Sequence, residues 1–399
     1  MKILVICQHY YPETFRITDI CEELVKRGND VFVVTGYPEY PEGVIYDGYR
    51  DKKHADEVVN GVKIHRCFTI GRKGGVFKRV LNYYSYALSS VGYVKKLKEK
   101  FDVVLVNQLS PVMMANAGVT YSKKNKVPLV TYVLDLWPAS LSAGNISDKS
   151  IIYKHYHKVS KKIYRAADKL LVSSQTFVDY LEEQFGINRE KIIYFPQYSE
   201  DCFNARECEK RMGDTIDLMF AGNVGKVQSI DTIIEAAKKC SDIKNLHWHI
   251  VGDGVALQDC KIKAEQEKVP VLFHGRQPLE KMPEYYAMAD AMLVTMVKDS
   301  FLSLTLPGKV QTYMAAGKPI IGAIDGEASS VIQKAECGFC GESEDATALA
   351  ENVRKFCGMT RECMEKLGQN ARAFYERNFE KKKILDKLEA VLTYEIVDD

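Results

Sequence analysis

Two successive doubly wound α/β domains are what this sequence predicts, and three observations predict them. Short apolar runs recur as strands buried on both faces, amphipathic helical segments separate them, and the pattern restarts after a polar break at residues 199–215. The run at residues 3–7 (ILVIC) is the first strand, followed by a polar loop at 8–15. Ile17, Ile20, Cys21, Leu24 and Val25 then recur at helical spacing, and Arg27-Gly28 supplies a basic last turn and a glycine stop. Residues 30–35 (DVFVVT) form the next strand and complete a βαβ unit with a parallel sheet. Similar strands are expected at 103–106, 129–134, 169–173 and 192–195. The charge-dense segment 199–215 has no apolar periodicity and reads as a linker. Beyond it, 217–220 is a strand, 222–226 a tight loop, and Ile230, Ile233, Ile234 and Ala237 a helix face. Further strands are expected at 247–251, 271–274, 291–295 and 319–324.

The chain has 399 residues, 46% hydrophobic and 27% charged, which gives two domains ample core. Ordinary glycine and proline usage excludes collagen-like and disordered classes. No stretch reaches the ~18 apolar residues of a membrane-spanning helix. The start, MKILVIC, passes at once to His9, Pro12 and Glu13 without a signal-peptide pattern, so a cytoplasmic location is expected. Eleven cysteines without a spaced framework predict reduced thiols. Cys337 and Cys340 make one CxxC, structural or metal- or redox-active, with no second pair beside it.

Charge is unevenly spread. Residues 1–200 carry 29 basic and 21 acidic side chains, residues 201–399 carry 26 and 32, and residues 51–100 alone carry 12 and 4. A basic half joined to an acidic half predicts that one domain faces an anionic partner.

In open parallel sheets ligands bind beyond the carboxyl ends of the strands, and two such domains facing each other would share a cleft. Gly222-Asn223-Val224-Gly225-Lys226 follows a strand and precedes a helix, where backbone N–H groups and a helix N-terminus attract an anion. A plain tight turn with an exposed lysine fits the same residues. Leu306-Pro307-Gly308-Lys309 opens another helix and places a cation suited to a diphosphate, or a solvated surface charge. Asp135 follows a strand beside Trp137-Pro138, placed for acid–base work or for capping a turn. His9, Tyr10, Tyr11 and Glu13 crowd the first loop and suit sugar hydroxyls and ring faces, or cover the domain edge. His155, His157, His247, His249 and His274 show no ligand-type pairing with acids, and no metal site is expected. Phe77, Leu81, Tyr84, Leu88 and Val91 make an apolar stripe among Arg72, Lys73, Lys78, Arg79, Lys95, Lys96, Lys98 and Lys100. That helix suits either the headgroup region of an anionic bilayer or a core-facing position with a solvated basic side.

Eight segments in this order resemble the GT-B glycosyltransferases of family 4, in the branch that builds bacterial capsule, O-antigen and exopolysaccharide. They are HYYPETFRITD (9–19), TGYPEYPEG (35–43), DLWPAS (135–140), YFPQYSED (194–201), FAGNVGKVQSIDTIIEAA (220–237), HIVGDG (249–254), LPGKVQTYMAAGKPI (306–320) and DGE (325–327). The resemblance implies an acceptor-binding Rossmann-like domain at 1–198, a linker at 199–215, and a nucleotide-sugar-binding Rossmann-like domain at 216–378. A C-terminal helix at 379–399 is expected to pack back on the first domain. It implies a retaining, metal-independent transferase without cofactor, using a nucleotide-sugar, with UDP-sugar the expected donor, and a lipid-diphosphate-linked saccharide as acceptor. The anionic membrane surface would be met through residues 72–100 at the inner face of the cell membrane, and no nucleic-acid partner is expected. Gly222, Asn223, Gly225, Lys226, Gly252 and Lys309 would hold the diphosphate side, with Gly275 and Arg276 near the base, Thr312 near the ribose and Glu327 in the donor site. Asp135, His9 and Glu13 would position or deprotonate the acceptor hydroxyl. The family's paired glutamates fall here on Leu304 and Thr312, and its DLWPES glutamate on Ala139. A nucleotide-sugar 2-epimerase and a non-catalytic partner subunit share the architecture and are the competing readings.

Overall fold

The structure, a computed structural model, describes residues 1–51, 54–144, 146–204 and 214–394. It divides into two compact units: Met1–Phe195 with the chain from Leu385 onward, and Pro196–Ile384.

The first unit runs β1 (Lys2–Ile6), α1 (Arg16–Lys26), β2 (Asp30–Gly36), β3 (Asp56–Val59), β4 (Val62–Cys67), α2 (Val76–Lys96) and β5 (Val103–Gln108). It continues through α3 (Asn116–Asn125), β6 (Leu129–Val133), α4 (Ile151–Ala166), β7 (Lys169–Val172), α5 (Thr176–Phe185) and β8 (Ile192–Tyr194). The sheet order is β3-β4-β2-β1-β5-β6-β7-β8, parallel except for the edge strand β3. Ile3 to Ile6 are fully buried because helices cover both faces of β1. Helix α1 buries Ile17, Ile20, Cys21 and Leu24, the stripe its spacing predicts.

Two features of this unit depart from the sequence reading. The β3–β4 hairpin was not anticipated, although Asn60-Gly61, both at positive φ (50° and 82°), is the left-handed pair that a tight hairpin requires. In α2 the buried residues are Asn82, Tyr86, Ala87, Ser90 and Val94, a stripe at three- and four-residue spacing. Of the two readings of the stripe Phe77, Leu81, Tyr84, Leu88 and Val91, the core-facing one fails: Phe77 is 75% and Leu88 70% exposed, with Tyr84 and Val91 half-buried. The Tyr86 hydroxyl explains the choice of face, donating to Cys7 and Val34 carbonyls at the ends of β1 and β2.

The second unit runs β9 (Ile216–Ala221), α6 (Ile230–Lys239), β10 (Leu246–Val251), α7 (Leu257–Gln266), β11 (Val271–Gly275), α8 (Met282–Met288) and β12 (Ala291–Thr295). It continues as α9 (Gly308–Ala315), β13 (Ile320–Ala323), α10 (Gly326–Lys334), β14 (Gly338–Gly341), α11 (Ala346–Cys357) and α12 (Arg361–Asn378). Its order, β11-β10-β9-β12-β13-β14, reverses direction between β9 and β12, as in dinucleotide-binding sheets. Leu218, Phe220, Trp248 and Ile250 meet Ile233, Ile234 and Phe356 in its core. A last helix, α13 (Lys381–Thr393), crosses the division at Leu385. Of the expected linker, residues 205–213 lie outside the described residues, and the Ser199 N–H donates to the Tyr375 hydroxyl (3.1 Å).

Candidate active site

In the second unit the loops after β9, β10 and β11 are tied into one platform. The Gly222 N–H donates to the Val251 carbonyl, the Gly252 N–H to Gly275, and the Val224 N–H to Asp253 (2.8–2.9 Å). Gly252, at φ +145°, passes so close that a Cβ there would lie 1.8 Å from the Gly222 oxygen, which is why no side chain fits. Across the switch point, the Tyr313 hydroxyl on α9 both accepts from the Ala221 N–H and donates to its carbonyl (3.0 and 2.9 Å). That anchors α9 at the end of β9 and fixes Lys309, its second residue.

The Lys309 ammonium lies 3.7 Å from the centre of the Phe220 ring and 3.3 Å from where a Cβ on Gly222 would be. Its stem is partly exposed, but Nζ is buried with no hydrogen-bond partner among the described residues. Burial drives the amine down from its ordinary value to about 7. A buried, unpaired donor is costly, and a bound anion would offset that cost.

The other donor-side candidates occupy varied positions. Asn223 and Gly225 both bond Gln228 Oε1 (3.3 and 3.2 Å), closing the loop under the glycines. Lys226 is exposed in the short turn that follows, and Arg276 is exposed just past Gly275 at the end of β11. The Thr312 hydroxyl donates to its own helix at the Gly308 carbonyl (3.1 Å). Glu327 is buried in the first turn of α10, behind Gly326, whose missing Cβ leaves room for the Ser303 carbonyl.

In the first unit the candidates form two hydrogen-bonded groups at the carboxyl ends of β1, β5 and β6. Glu13 is the centre of the first group. Its buried carboxylate accepts from the backbone N–H groups of Tyr10, Glu39 and Tyr40 (2.7–3.2 Å) and meets His9 Nδ1 at 3.1 Å. It brackets the loops after β1 and β2 and holds His9 in place. Glu13 holds His9 at Nδ1, so Nε2 is the ring nitrogen outside this contact. His9 is further held by stacking on Phe15 (centroids 5.0 Å). Glu13→Ala would orphan three backbone donors, and we expect a loss of roughly 2–4 kcal/mol in denaturant unfolding.

Asp135 accepts from Ser110 Oγ, which in turn accepts from Trp137 Nε1 (2.6 Å) and lies 3.2 Å from Ser140 Oγ. Gln108 Nε2 holds the Asp135 carbonyl (3.0 Å). Burial raises the Asp135 carboxyl to about 6, opposed by the Ser110 bond. Ser110 was missed in the sequence, although it follows β5 at the sheet's switch point. Beside this group, helices α2 and α4 enclose a cavity of about 710 Å3.

The histidine reading also needs correction. The β9/β10 register sets His247 opposite Asp217, and Asp217 Oδ1 meets both His247 Nδ1 (3.2 Å) and His249 Nε2 (2.9 Å). Among the described residues this is the one group of three with metal-ligand spacing. It is also a satisfied hydrogen-bond network, since His249 Nδ1 pairs with His274 Nε2 (2.9 Å). The thirty residues between Asp217 and His247 hid it from a spacing argument. Cys337 is buried and Cys340 half-buried, and desolvation pushes both thiols up to about 12, far from a reactive thiolate.

Two family profiles match the chain: Glycosyltransferase Family 4 over residues 15–197 and Glycosyl transferases group 1 over residues 204–374. A Pseudomonas aeruginosa protein bearing the name glycosyltransferase WbjE is 28% identical over 65% of this chain and 67% of its own. The Escherichia coli K12 protein WcaI, named for colanic acid biosynthesis, is 23% identical over 96% of this chain and 98% of its own. Among solved structures, Anabaena HepE in complex with UDP-glucose superposes with a TM-score of 0.69 at 16% identity, over 99% of this chain and all of the other. At that identity the likeness is one of fold, the GT-B architecture of two Rossmann-like domains.

Proposed function

The chain belongs to glycosyltransferase family 4 and is a transferase, and from that premise we propose that it moves a sugar from a nucleotide diphosphate donor, a UDP-sugar, onto a lipid-diphosphate-linked saccharide with retention at the anomeric carbon. The name of one relative, WcaI, mentions colanic acid biosynthesis, which supports a role in polysaccharide assembly. The observation that carries the reading is Lys309: a buried, unpartnered amine above a glycine platform at the switch point of the second sheet. As the glycosidic bond breaks, charge grows on the departing diphosphate. Lys309, Lys226 and the Gly222–Gly225 amides meet it in place of a divalent ion. The bound UDP-glucose of the HepE structure favours the same donor class. On the acceptor side, Asp135 and the Nε2 of His9 are the groups that receive or orient the hydroxyl, while Glu13 holds His9.

A panel of nucleotide-sugars, assayed for nucleoside diphosphate release with lipid-linked acceptors, tests this directly. Acceptor-dependent release that survives EDTA is expected; acceptor-free epimerisation, or no release with any pair, overturns it. Membrane association through α2 is part of the same reading, because its exposed Phe77 and Leu88 lie among basic side chains. The protein should sediment with anionic vesicles and be released by salt, whereas equal binding to neutral vesicles would contradict this.

A further inference from the structure

The cavity between α2 and α4 shares Ser110, Trp137 and Ser140 with the Asp135 group, and the rest of its lining has no role assigned above. Its walls are Val80, Tyr83, Trp137, Leu141, Ile152 and Tyr156, with Ile151 beside them. At about 710 Å3 it is within the ~300–1,000 Å3 of small-ligand sites. Its lining runs from dry to wet: Trp137 is 2% exposed, Ile152 53% and Ile151 87%. On the same helix Phe77, three residues before Val80, and Leu81, the residue after it, are also exposed. A water-facing protein surface seldom gathers so many large apolar side chains around one opening.

Charge and aromatic placement specify the occupant. Helix α4 (IIYKHYHKVSKKIYRA) carries five basic residues and no acidic one, and residues 72–94 carry basic residues but no acid. Arg79 and His155 themselves line the cavity. At the buried end, Trp137 is met edge-on by Tyr156 (4.9 Å) and Tyr83 (6.5 Å), and its Nε1 donates to Ser110, which bonds Asp135. An apolar chamber with a basic surround, joined through Ser110 to a carboxylate at the strand ends, is built for an amphiphile that is a chain at one end and an anion at the other.

We propose that this cavity holds the chain-proximal isoprenoid units of a lipid diphosphate, the carrier of the acceptor saccharide; the inference rests on the lipid-linked acceptor of the reading above. The diphosphate faces the basic residues of α2 and α4, and the attached sugar extends toward Ser110 and Asp135. The volume admits only part of a long chain, so the exposed apolar rim of Phe77, Leu81 and Ile151 hands the remainder to the bilayer.

The test uses the full chain with farnesyl diphosphate and, as control, inorganic diphosphate. The protein has two tryptophans, so Trp248→Phe, made in the other unit, leaves Trp137 as sole reporter. Farnesyl diphosphate should shift Trp137 emission saturably, inorganic diphosphate should not, and Ile152→Glu, at an exposed position, should weaken binding at least tenfold. Equilibrium dialysis on the unmodified protein and on Ile152→Glu repeats the comparison without the reporter. An unchanged affinity in Ile152→Glu, absence of saturable binding, or equal binding of inorganic diphosphate overturns the proposal. In turnover assays Ile152→Glu should raise the KM of an isoprenoid-linked acceptor at least tenfold and leave the donor KM alone. If transfer occurs but is indifferent to the chain, the cavity proposal falls and the reaction stands. If no acceptor is glycosylated while farnesyl diphosphate still binds at Ile152, the reaction falls and the cavity stands.

Discussion

Lys309→Ala is expected to lower turnover by about 10²–10³ with little change in fold, the usual cost of removing a donor to a developing oxyanion. Lys309→Met, which keeps the stem over Phe220, should lose the same activity yet melt at a higher temperature at pH 7. The sign follows from linkage. The folded amine titrates near 7 and the unfolded one near its ordinary 10.5, so between those values the unfolded chain binds more protons and stability rises with pH. Below 7 the charge is buried in full, and the methionine variant escapes that penalty. Donor binding should restore the proton: at pH 8 calorimetry in buffers of different ionisation enthalpy should show uptake approaching one proton, absent in Lys309→Met. Unchanged turnover in Lys309→Ala would remove this residue from the site.

Asp135→Asn is expected to cost about 10²–10⁴ in kcat/KM, the range for a general base. The carboxyl is raised to about 6 by burial, and it works ionised, so activity should fall as pH drops through 6. In Asp135→Asn that limb should vanish. Ser110→Ala removes the bond that favours the ionised form and should move the limb to higher pH. Stability runs the opposite way. A carboxyl raised in the folded state favours folding most below its unfolded value, and that contribution is lost as pH rises through 6. The asparagine variant should therefore be the more stable one above pH 6. A limb at the same pH in all three proteins would assign it to another group.

The fold was legible wherever one periodicity dominated. The strands at 30–35, 103–106 and 291–295, and the α1 stripe, follow from runs and spacings that local sequence alone determines. The glycine loops and Lys309 were legible too, because backbone approach and a helix start leave a local signature. What was not legible depends on register and burial. Glu13 reads as an exposed loop acid until the chain from β2 returns over it with two N–H groups. Asp217 and His247 meet only because β9 and β10 are paired in register. In α2 the more apolar face is turned outward and the face with Asn82 and Ser90 inward, because Asn82 bonds Gln8, Glu39 and the Ile70 carbonyl. Hydrophobicity alone gives the reverse.

The return of α13 has a bearing on biosynthesis. Leu388 lines a small gap in the first unit together with Ile17, Ile20, Leu105, Tyr132 and Phe195, and Arg27 pairs with Asp386 and Glu389 (2.6 and 2.7 Å), so the first unit is completed by residues translated after the second. The ribosome makes all of the second unit in between, about 10–40 s of synthesis at ~5–20 residues per second. Throughout that interval the nascent first unit is without Leu388 beside Ile17 and Ile20 and without the two carboxylates that pair with Arg27.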